Sequence, residues 1–153
     1  MNGRVLEGEN IVIATGSKPR PLPIPGAEHM ITSDEVLSEE SQPGEVVFIG
    51  GGVIAMEFSH VYARAGTKVT ILEVMERLLP RVEADAVAAV QTESERIGVT
   101  VKTSVTVKEI TKTNGKLQVV YEHDGKEMTL NADRVVNGAG RIARQEIGRK
   151  KSV

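Results

Sequence analysis

Three consecutive glycines, Gly50, Gly51 and Gly52, lie between a short apolar run and a stretch with helical spacing of apolar residues. With Ala55 they match the pattern Gly-x-Gly-x-x-Gly/Ala. In this pattern the first glycine allows a sharp turn, the second lets a pyrophosphate approach the backbone, and the third small residue lets helix and strand pack closely. The free N–H groups and the positive end of the helix dipole would then face the phosphates. The motif predicts a phosphate-binding turn for a dinucleotide.

An acidic residue follows at the distance that such a site requires. Gly66 ends the helical pattern, a second β-type run covers Lys68 to Leu72, and Glu73 comes directly after it. A carboxylate at the tip of that strand is placed to accept hydrogen bonds from a ribose hydroxyl. The alternative, a glycine turn in some other α/β protein, would not explain Glu73.

Other chemistries find little support in the sequence. The 153 residues carry 19 basic and 21 acidic side chains, and only two tyrosines and two phenylalanines are aromatic, so we expect no binding to nucleic acid. No apolar run approaches the roughly 18 residues of a spanning helix, and we expect no membrane association and a cytoplasmic protein. The absence of cysteine excludes disulfides and dithiol chemistry within the chain. The three histidines stand far apart, and we expect neither a metal site nor a catalytic constellation.

The helices that should position the motif can be read from apolar spacing. After Gly52 we predict a helix whose core-facing stripe consists of Ile54, Phe58, Val61 and Ala65. Glu57 lies on a different face and would be solvated unless it has a function. A second helix is predicted from Glu83 to Ile97, ended by Gly98, with one face largely in water.

The predicted strands are of two kinds, one apolar throughout and one with alternating apolar and polar residues. Val46–Ile49 is apolar throughout, as in a strand buried on both faces, and short strands are expected at 98–101 and 133–137. Three alternating segments, 105–111, 117–123 and 126–130, are joined at Asn114-Gly115 and Asp124-Gly125, which are strong hairpin signals. We therefore predict an α/β fold: a Rossmann-type parallel sheet with flanking helices and an antiparallel β-meander.

Both ends of the chain fit this fold less well. Residues 10–14 form a β-type run that ends in a turn, and Pro19, Pro21, Pro23 and Pro25 follow within seven residues. Such proline density predicts an extended connector rather than a regular element. Thr32-Ser33-Asp34 predicts the start of a short helix. We expect the polar, basic tail, 142–153, to be disordered.

Four stretches in this order resemble the pyridine nucleotide–disulfide oxidoreductases, the family of dihydrolipoamide dehydrogenase, glutathione reductase and mercuric reductase. They are IVIATGSKPRPLPIPG, TSDEVL, VVFIGGGVIAMEF and DRVVNGAGR. In that family an NADH- or NADPH-binding domain is inserted into a flavin-binding domain. The resemblance implies that 1–16 is a remnant of a flavin-domain strand, 17–44 a connector, 45–141 the dinucleotide-binding domain and 142–153 a tail. The tail lacks the proline and asparagine usual in the family.

The resemblance also implies roles for individual residues. The three glycines and the amides of Val53 and Ile54 would form the pyrophosphate cradle. Glu57 matches a glutamate that lies near the nicotinamide and pairs with a lysine of the flavin domain. Val53 stands where some members carry a tyrosine over the flavin, so this chain has no such lid.

Cofactor preference follows from the same resemblance. Glu73 resembles the ribose-binding acid of NADH-using members, and an acid would repel the 2′-phosphate of NADPH. Arg77 is a candidate phosphate partner, so NADP remains the less favoured alternative to NAD. Val105 would lie beside the adenine and Gly140 on the nicotinamide side.

The expected function is that of a nicotinamide-dinucleotide-binding domain from an FAD-dependent oxidoreductase, with FAD bound only by the parent enzyme. The FAD glycine motif, the cysteine pair and the dimerisation domain of the family have no counterpart here, so the chain alone should be inactive. The alternative is a stand-alone NAD-binding sensing module that acts on a protein partner. A self-sufficient dehydrogenase would need a proton relay that the sequence does not display. A homodimer is possible if apolar surface is left bare.

Overall fold

The computed structural model of the chain describes residues 7–144. The helices are Ser33–Val36 (α1), Val53–Arg64 (α2) and Ala84–Arg96 (α3), with one 3-10 turn at Ala27–His29. The strands are Ser17–Pro19 (β1), Glu45–Ile49 (β2), Lys68–Leu72 (β3), Thr100–Lys102 (β4), Thr106–Thr113 (β5), Lys116–His123 (β6), Lys126–Ala132 (β7), Arg134–Asn137 (β8) and Arg141–Ala143 (β9). Between residues 7 and 144, no helix combines the length and the apolar character needed to cross a membrane.

The central sheet has four parallel strands in the order β4-β3-β2-β8. Ile49 at the end of β2 pairs with Leu72 of β3 on one side and with Asn137 of β8 on the other. Because the carboxyl ends of parallel strands meet at one edge, the residues that follow these three strands are brought together. A separate antiparallel sheet contains β5, β6 and β7 in that order. The predicted α/β fold with a Rossmann-type sheet and a meander is confirmed.

The parallel sheet is covered on both faces, and successive side chains of β2 point alternately into the two cores. Val46 and Phe48 belong to the core cluster that contains the buried residues of α2 and α3. Val47 and Ile49 belong to the second cluster, shared with the meander strands. All four side chains are at most 6% exposed, which explains why the run is apolar without interruption. Fully burying each such side chain stabilises the fold by about 1.5–3 kcal/mol.

The meander turns adopt the conformation that their sequence indicates. Asn114 and Gly115 have φ angles of 52° and 81°, and Asp124 and Gly125 have 52° and 71°. Two successive residues at positive φ match the right-handed twist of paired strands. Both predicted hairpins are therefore confirmed, with β6 in the middle of the sheet.

The prediction of the core-facing stripe of α2 is wrong, because a different face of the helix packs against the sheet. The residues that are buried are Ala55, Met56, Ser59 and Tyr62. The predicted ones were Ile54, Phe58, Val61 and Ala65; the first two are partly buried and the last two exposed. Val61 is 62% exposed, whereas Ser59 is fully buried. Both stripes share helical spacing. The buried one contains Ala55, whose small side chain allows α2 to approach the backbone at Gly138, together with the core residues Met56 and Tyr62.

The segment before the connector does not form the predicted strand. Residues 10–14 have no strand assignment, and Ile11, Val12 and Ile13 are 77%, 88% and 79% exposed. A strand needs a neighbouring edge to pair its backbone groups, and none is present for this run among residues 7–144. The strand expected at 10–14 is therefore absent from the described part of the chain.

The connector and the tail are more ordered than predicted where they meet. Ser17–Pro19, expected to belong to an extended connector rather than a regular element, pairs antiparallel with Arg141–Ala143, so the first tail residues form a strand. The short helix after Thr32 is confirmed, with Thr32 and Glu35 forming a capping box. Residues 145–153 lie outside the described part of the chain, and the division into segments stays a prediction.

At the opposite end of the sheet from the glycines, Asp133 holds the start of β2. Its Oδ2 accepts hydrogen bonds from the N–H groups of Gly44 and Glu45, each at 2.9 Å. The Glu45 amide is the main cause that lowers the pKa of Asp133, and Lys116 contributes. The Lys68 ammonium and then Lys116 lower the pKa of Glu45. Both carboxyls thus stabilise the fold when ionised.

This arrangement predicts a stability that falls with acid. A carboxyl whose pKa is lowered by folding contributes stability above its unfolded pKa and loses it as the pH falls through the folded value. We expect Asp133→Asn to cost about 1 kcal/mol of unfolding free energy at pH 7. The difference in unfolding free energy between the variant and wild type should become smaller below pH 3.8, the ordinary pKa of an aspartate. Urea unfolding at pH 7, 5 and 3.5 measures this, and a difference independent of pH would contradict it.

Candidate functional site

The glycine turn brings two strand ends into direct backbone contact. Gly50 has a φ of +99°, and a Cβ built on it would lie 2.6 Å from Gly138 O and from Ala139 N. A Cβ on Gly138 would lie 2.5 Å from Gly50 O and 3.1 Å from the Ala55 Cβ. Glycine is therefore required where β2 and β8 end, and a small residue is required at the first turn of α2. The sequence pattern is explained by these approaches.

The N-terminus of α2 opens at the same place. Gly52 is the N-cap and no side chain caps the helix, nor is there an acidic residue in its first turn. The first amide of this end that bonds back is Met56 N, which donates to Gly52 O at 3.0 Å. Within residues 7–144 the amides of Val53 and Ile54 have no hydrogen-bond partner. Such N–H groups, together with the helix dipole, form a suitable site for a phosphate.

Glu73 ties the glycine turn to the end of β3. Its carboxylate is largely buried, since the residue is only 7% exposed. Oε2 accepts from Gly51 N at 2.5 Å, and Oε1 accepts from Met75 N at 2.7 Å. Each carboxylate oxygen has a second lone pair, so the group can still accept from a hydroxyl in the cavity. Glu73 therefore has a structural role in addition to any role in binding.

These features line one cavity of about 700 Å³. Its walls come from the ends of β2, β3 and β8, the connector, the loop after β3 and the start of the meander. The lining residues are Arg20, Leu22, Ile24, Ile49, Gly50, Gly52, Val53, Leu72, Glu73, Val74, Met75, Leu79, Pro80, Arg81, Val82, Val105, Thr106, Val107, Gly138, Ala139, Gly140 and Arg141. The volume is typical of sites for small-molecule cofactors. In the described part of the chain, no group of three histidine or acidic side chains could hold a metal ion.

Most of the predicted site residues meet at this cavity. Those that line it are Gly50, Gly52, Val53, Glu73, Val105 and Gly140; those that do not are Gly51, Ile54 and Glu57. Gly51 instead faces Leu78, whose Cδ2 would be 2.3 Å from a Cβ at that position. Glu57 is exposed on α2. The cofactor role of every one of these residues stays a prediction.

The arginines at the cavity differ from the expected one. The guanidinium of Arg77 donates to Val82 O at 2.8 Å and to Pro80 O at 2.7 Å, and Arg77 does not line the cavity. Arg20, Arg81 and Arg141 do line it, and the sequence analysis assigned none of them to the site. Arg141 ends the stretch DRVVNGAGR, whereas Arg20 lies within the proline-rich connector and Arg81 in a loop. Their place at the cavity becomes visible only in the folded structure, where these segments cover the strand ends.

Comparison with known proteins identifies the family. A model of the family described as pyridine nucleotide-disulphide oxidoreductase matches residues 1–153. The chain belongs to this family. The resemblance inferred from the four sequence stretches is confirmed.

Relatives within the pyridine nucleotide-disulphide oxidoreductases are longer than this chain. Dihydrolipoyl dehydrogenase of Acholeplasma laidlawii is 36% identical over 146 residues, covering 92% of this chain and 42% of the relative. The solved structure of the HOCl-induced flavoprotein disulfide reductase RclA from Escherichia coli is 32% identical with a TM-score of 0.77, covering 89% of this chain and 31% of that one. The ferredoxin reductase for the CYP199A2 system from Rhodopseudomonas palustris is 29% identical, also with a TM-score of 0.77, covering 88% and 35%. The chain thus spans between 31% and 42% of the length of these relatives.

The residues present fit a dinucleotide of the kind the family name states. Gly52 offers only backbone atoms to the cavity, and a Cβ there would lie 3.1 Å from Gly138 O. No acidic side chain stands in the first turn of α2 to repel an anion. The buried acid is held one strand away, at the end of β3. Cationic, apolar and hydrogen-bonding groups thus line the same cavity.

Proposed function

We propose that the chain is the nicotinamide-dinucleotide-binding domain of an FAD-dependent NAD(P)H:disulfide-type oxidoreductase. The observation that carries the proposal is the convergence of three features on one cavity. These are a glycine turn without side chains, an uncapped helix N-terminus and a buried carboxylate at the neighbouring strand end. Each serves a different part of a dinucleotide, and the family match supports the same conclusion.

The roles divide along the cavity. Gly52 and the amides of Val53 and Ile54 would hold the pyrophosphate, and Glu73 would accept from the adenosine ribose. Val105, which is 1% exposed, would support the adenine, and Gly140 would lie on the nicotinamide side. The bound nicotinamide supplies a hydride; the protein supplies orientation rather than chemistry.

NAD is the preferred cofactor in this proposal. A 2′-phosphate would enter beside the Glu73 carboxylate, which is shielded from water and held by two amides. Like charges at short distance in such surroundings repel strongly. Arg81 on the same cavity offsets part of the repulsion, so NADPH should bind more weakly rather than not at all.

The flavin belongs to the remainder of the parent enzyme in this proposal. One of the relatives is a flavoprotein disulfide reductase, and this chain covers only 31% of it. Ile11, Val12 and Ile13 are almost fully exposed, as expected of a strand that pairs within a flavin domain. Glu57, exposed on α2, would face the same domain. A cytoplasmic location and a homodimer remain predictions.

Calorimetric titration of the purified chain with NADH and then with NADPH tests the proposal. We expect saturable one-to-one binding of NADH and about tenfold weaker binding of NADPH, a difference of about 1.4 kcal/mol. Gly52 has an ordinary φ of −80°, but the Cβ of Gly52→Ala would lie 3.1 Å from Gly138 O. We therefore expect a small loss of stability together with weaker NADH binding through obstruction of the pyrophosphate, and the unfolding temperature measures the first effect separately. Absence of binding to both nucleotides by the folded wild type would contradict the proposed function.

A further inference from the structure

A single turn forms the wall of the cavity next to Glu73. Val82 N donates to Leu79 O at 2.9 Å, which closes a β-turn with proline at its second position, a favoured place for that residue. Leu79, Pro80, Arg81 and Val82 all line the cavity. We call residues 79–82 the wall turn. Its position determines the width of this end of the site.

The wall turn is connected to the rest of the site through Gly51. Leu79 N donates to Gly51 O at 3.0 Å, and Gly51 N donates to the Glu73 carboxylate at 2.5 Å. Leu78, which precedes the turn, is fully buried beneath Gly51. The turn therefore stands beside the carboxylate, at the end of the cavity that would take the adenosine half of a dinucleotide.

The wall turn is strained and partly solvated, so it needs further support. Leu79 has a φ of +45°, a conformation that L-residues with a Cβ adopt at an energetic cost. Val82 is 41% exposed, and little packing holds it from outside. Backbone conformations of this kind persist only when the surroundings over-determine them.

Arg77 supplies this support. Nη2 donates to Pro80 O at 2.7 Å and Nη1 to Val82 O at 2.8 Å, so one planar group holds the second and fourth residues of the turn at a fixed separation. Within residues 7–144 these two carbonyls are the partners that its guanidinium has, and no carboxylate pairs with it. Hydrogen bonds from a charged donor are stronger than neutral ones.

We propose that Arg77 is a positioning residue that holds the wall turn in the shape that accepts the adenosine half of the dinucleotide. The role is indirect, since Arg77 does not line the cavity. It replaces the direct phosphate contact expected from the sequence. The inference rests on the proposed function for the identity of the ligand, but the order of the turn can be measured without any ligand.

The test compares Arg77→Met and Arg77→Lys with the wild-type chain. Arg96→Met is the matched control, because Arg96 also makes two guanidinium hydrogen bonds, to Glu93 on α3, away from the cavity. NADH and AMP are titrated by calorimetry, hydrogen exchange is followed at the Leu79 and Val82 amides, and thermal unfolding reports the folded fraction. We expect Arg77→Met to raise Kd for both ligands about tenfold and to raise exchange at both amides at least as much. Arg77→Lys, which has a single ammonium group, should have Kd values and exchange rates between those of wild type and Arg77→Met. Arg96→Met should match wild type in both.

Chemical rescue separates positioning from general stability. Methylguanidinium should restore part of the NADH affinity of Arg77→Ala, whereas methylammonium at the same ionic strength should not. Unchanged Kd values together with a lowered unfolding temperature would overturn the proposal, because they would give Arg77 a purely structural role. A wild-type chain that bound neither nucleotide would overturn the proposed function instead, while the exchange rates would still decide whether Arg77 orders the turn.

Discussion

Substituting alanine for Gly50 is expected to lower the unfolding free energy by about 3 kcal/mol or more. Two separate costs combine at this position. The residue has a φ of +99°, which an L-residue adopts at a cost of about 1–2 kcal/mol. The new methyl group would also lie 2.6 Å from the O and C atoms of Gly138 and from Ala139 N. These are backbone atoms at the end of β8, and they cannot move without disturbing the central sheet.

Gly98→Ala is the control that separates the steric cost of the contact with β8 from the conformational cost of a positive φ. Gly98 follows α3 with a φ of +94°, and no heavy atom lies within 4 Å of a Cβ built there. It should lose only the conformational part, about 1 kcal/mol. For a chain of this length 1 kcal/mol corresponds to a shift in unfolding temperature of roughly 2–4 °C, so Gly50→Ala should unfold about 10 °C below wild type. Equal shifts for the two variants in calorimetric melts would mean that the contact with β8 is not tight.

Much of the fold could be predicted because the local signals agree with the tertiary structure. The run before Gly50 is apolar throughout because the sheet is covered on both faces, and the two turn dipeptides of the meander occupy positive φ, where they are favoured. The phosphate-binding turn was predictable for a related reason. A Cβ on Gly50 would meet the backbone at the end of β8, and a Cβ on Gly51 would meet the Leu78 side chain. At Gly52 the nearest contact of a Cβ is Gly138 O at 3.1 Å.

The sequence could not predict features for which several arrangements fit the residue pattern equally well. Two stripes of α2 have helical spacing, and only the tertiary packing of α2 on the sheet selects the one that contains Ala55, next to Gly138, and Ser59. Arg77 was expected at a phosphate because it is a cation near the motif, and only the path of its loop reveals two carbonyls within reach. The exposed run at 11–13 has the sequence of a strand, but pairing needs a neighbouring strand, and residues 7–144 provide none for it.

Glu73 combines a structural and a proposed binding role, and this combination affects how any substitution should be interpreted. Its two oxygens hold the Gly51 and Met75 amides, so removal leaves buried N–H groups unsatisfied. Such losses cost about 1–3 kcal/mol each, less where water can reach the group, as at the half-exposed Met75. A fall in NADH affinity alone would therefore not prove contact with the ribose. The ratio of affinities for NADH and NADPH is the more informative quantity.

Glu73→Ala is expected to weaken NADH at least tenfold and to bring the NADPH to NADH ratio of dissociation constants close to one. NADH loses its hydroxyl acceptor, whereas NADPH loses a repulsive charge beside its 2′-phosphate. Glu73→Gln keeps the size of the side chain and one acceptor oxygen for the amides, so it should lose less stability while shifting the ratio in the same direction. Calorimetric Kd values for both nucleotides, taken with unfolding temperatures, separate the two effects. An unchanged ratio in both variants would mean that the carboxylate only supports the glycine turn, and that cofactor choice lies with another residue of the cavity.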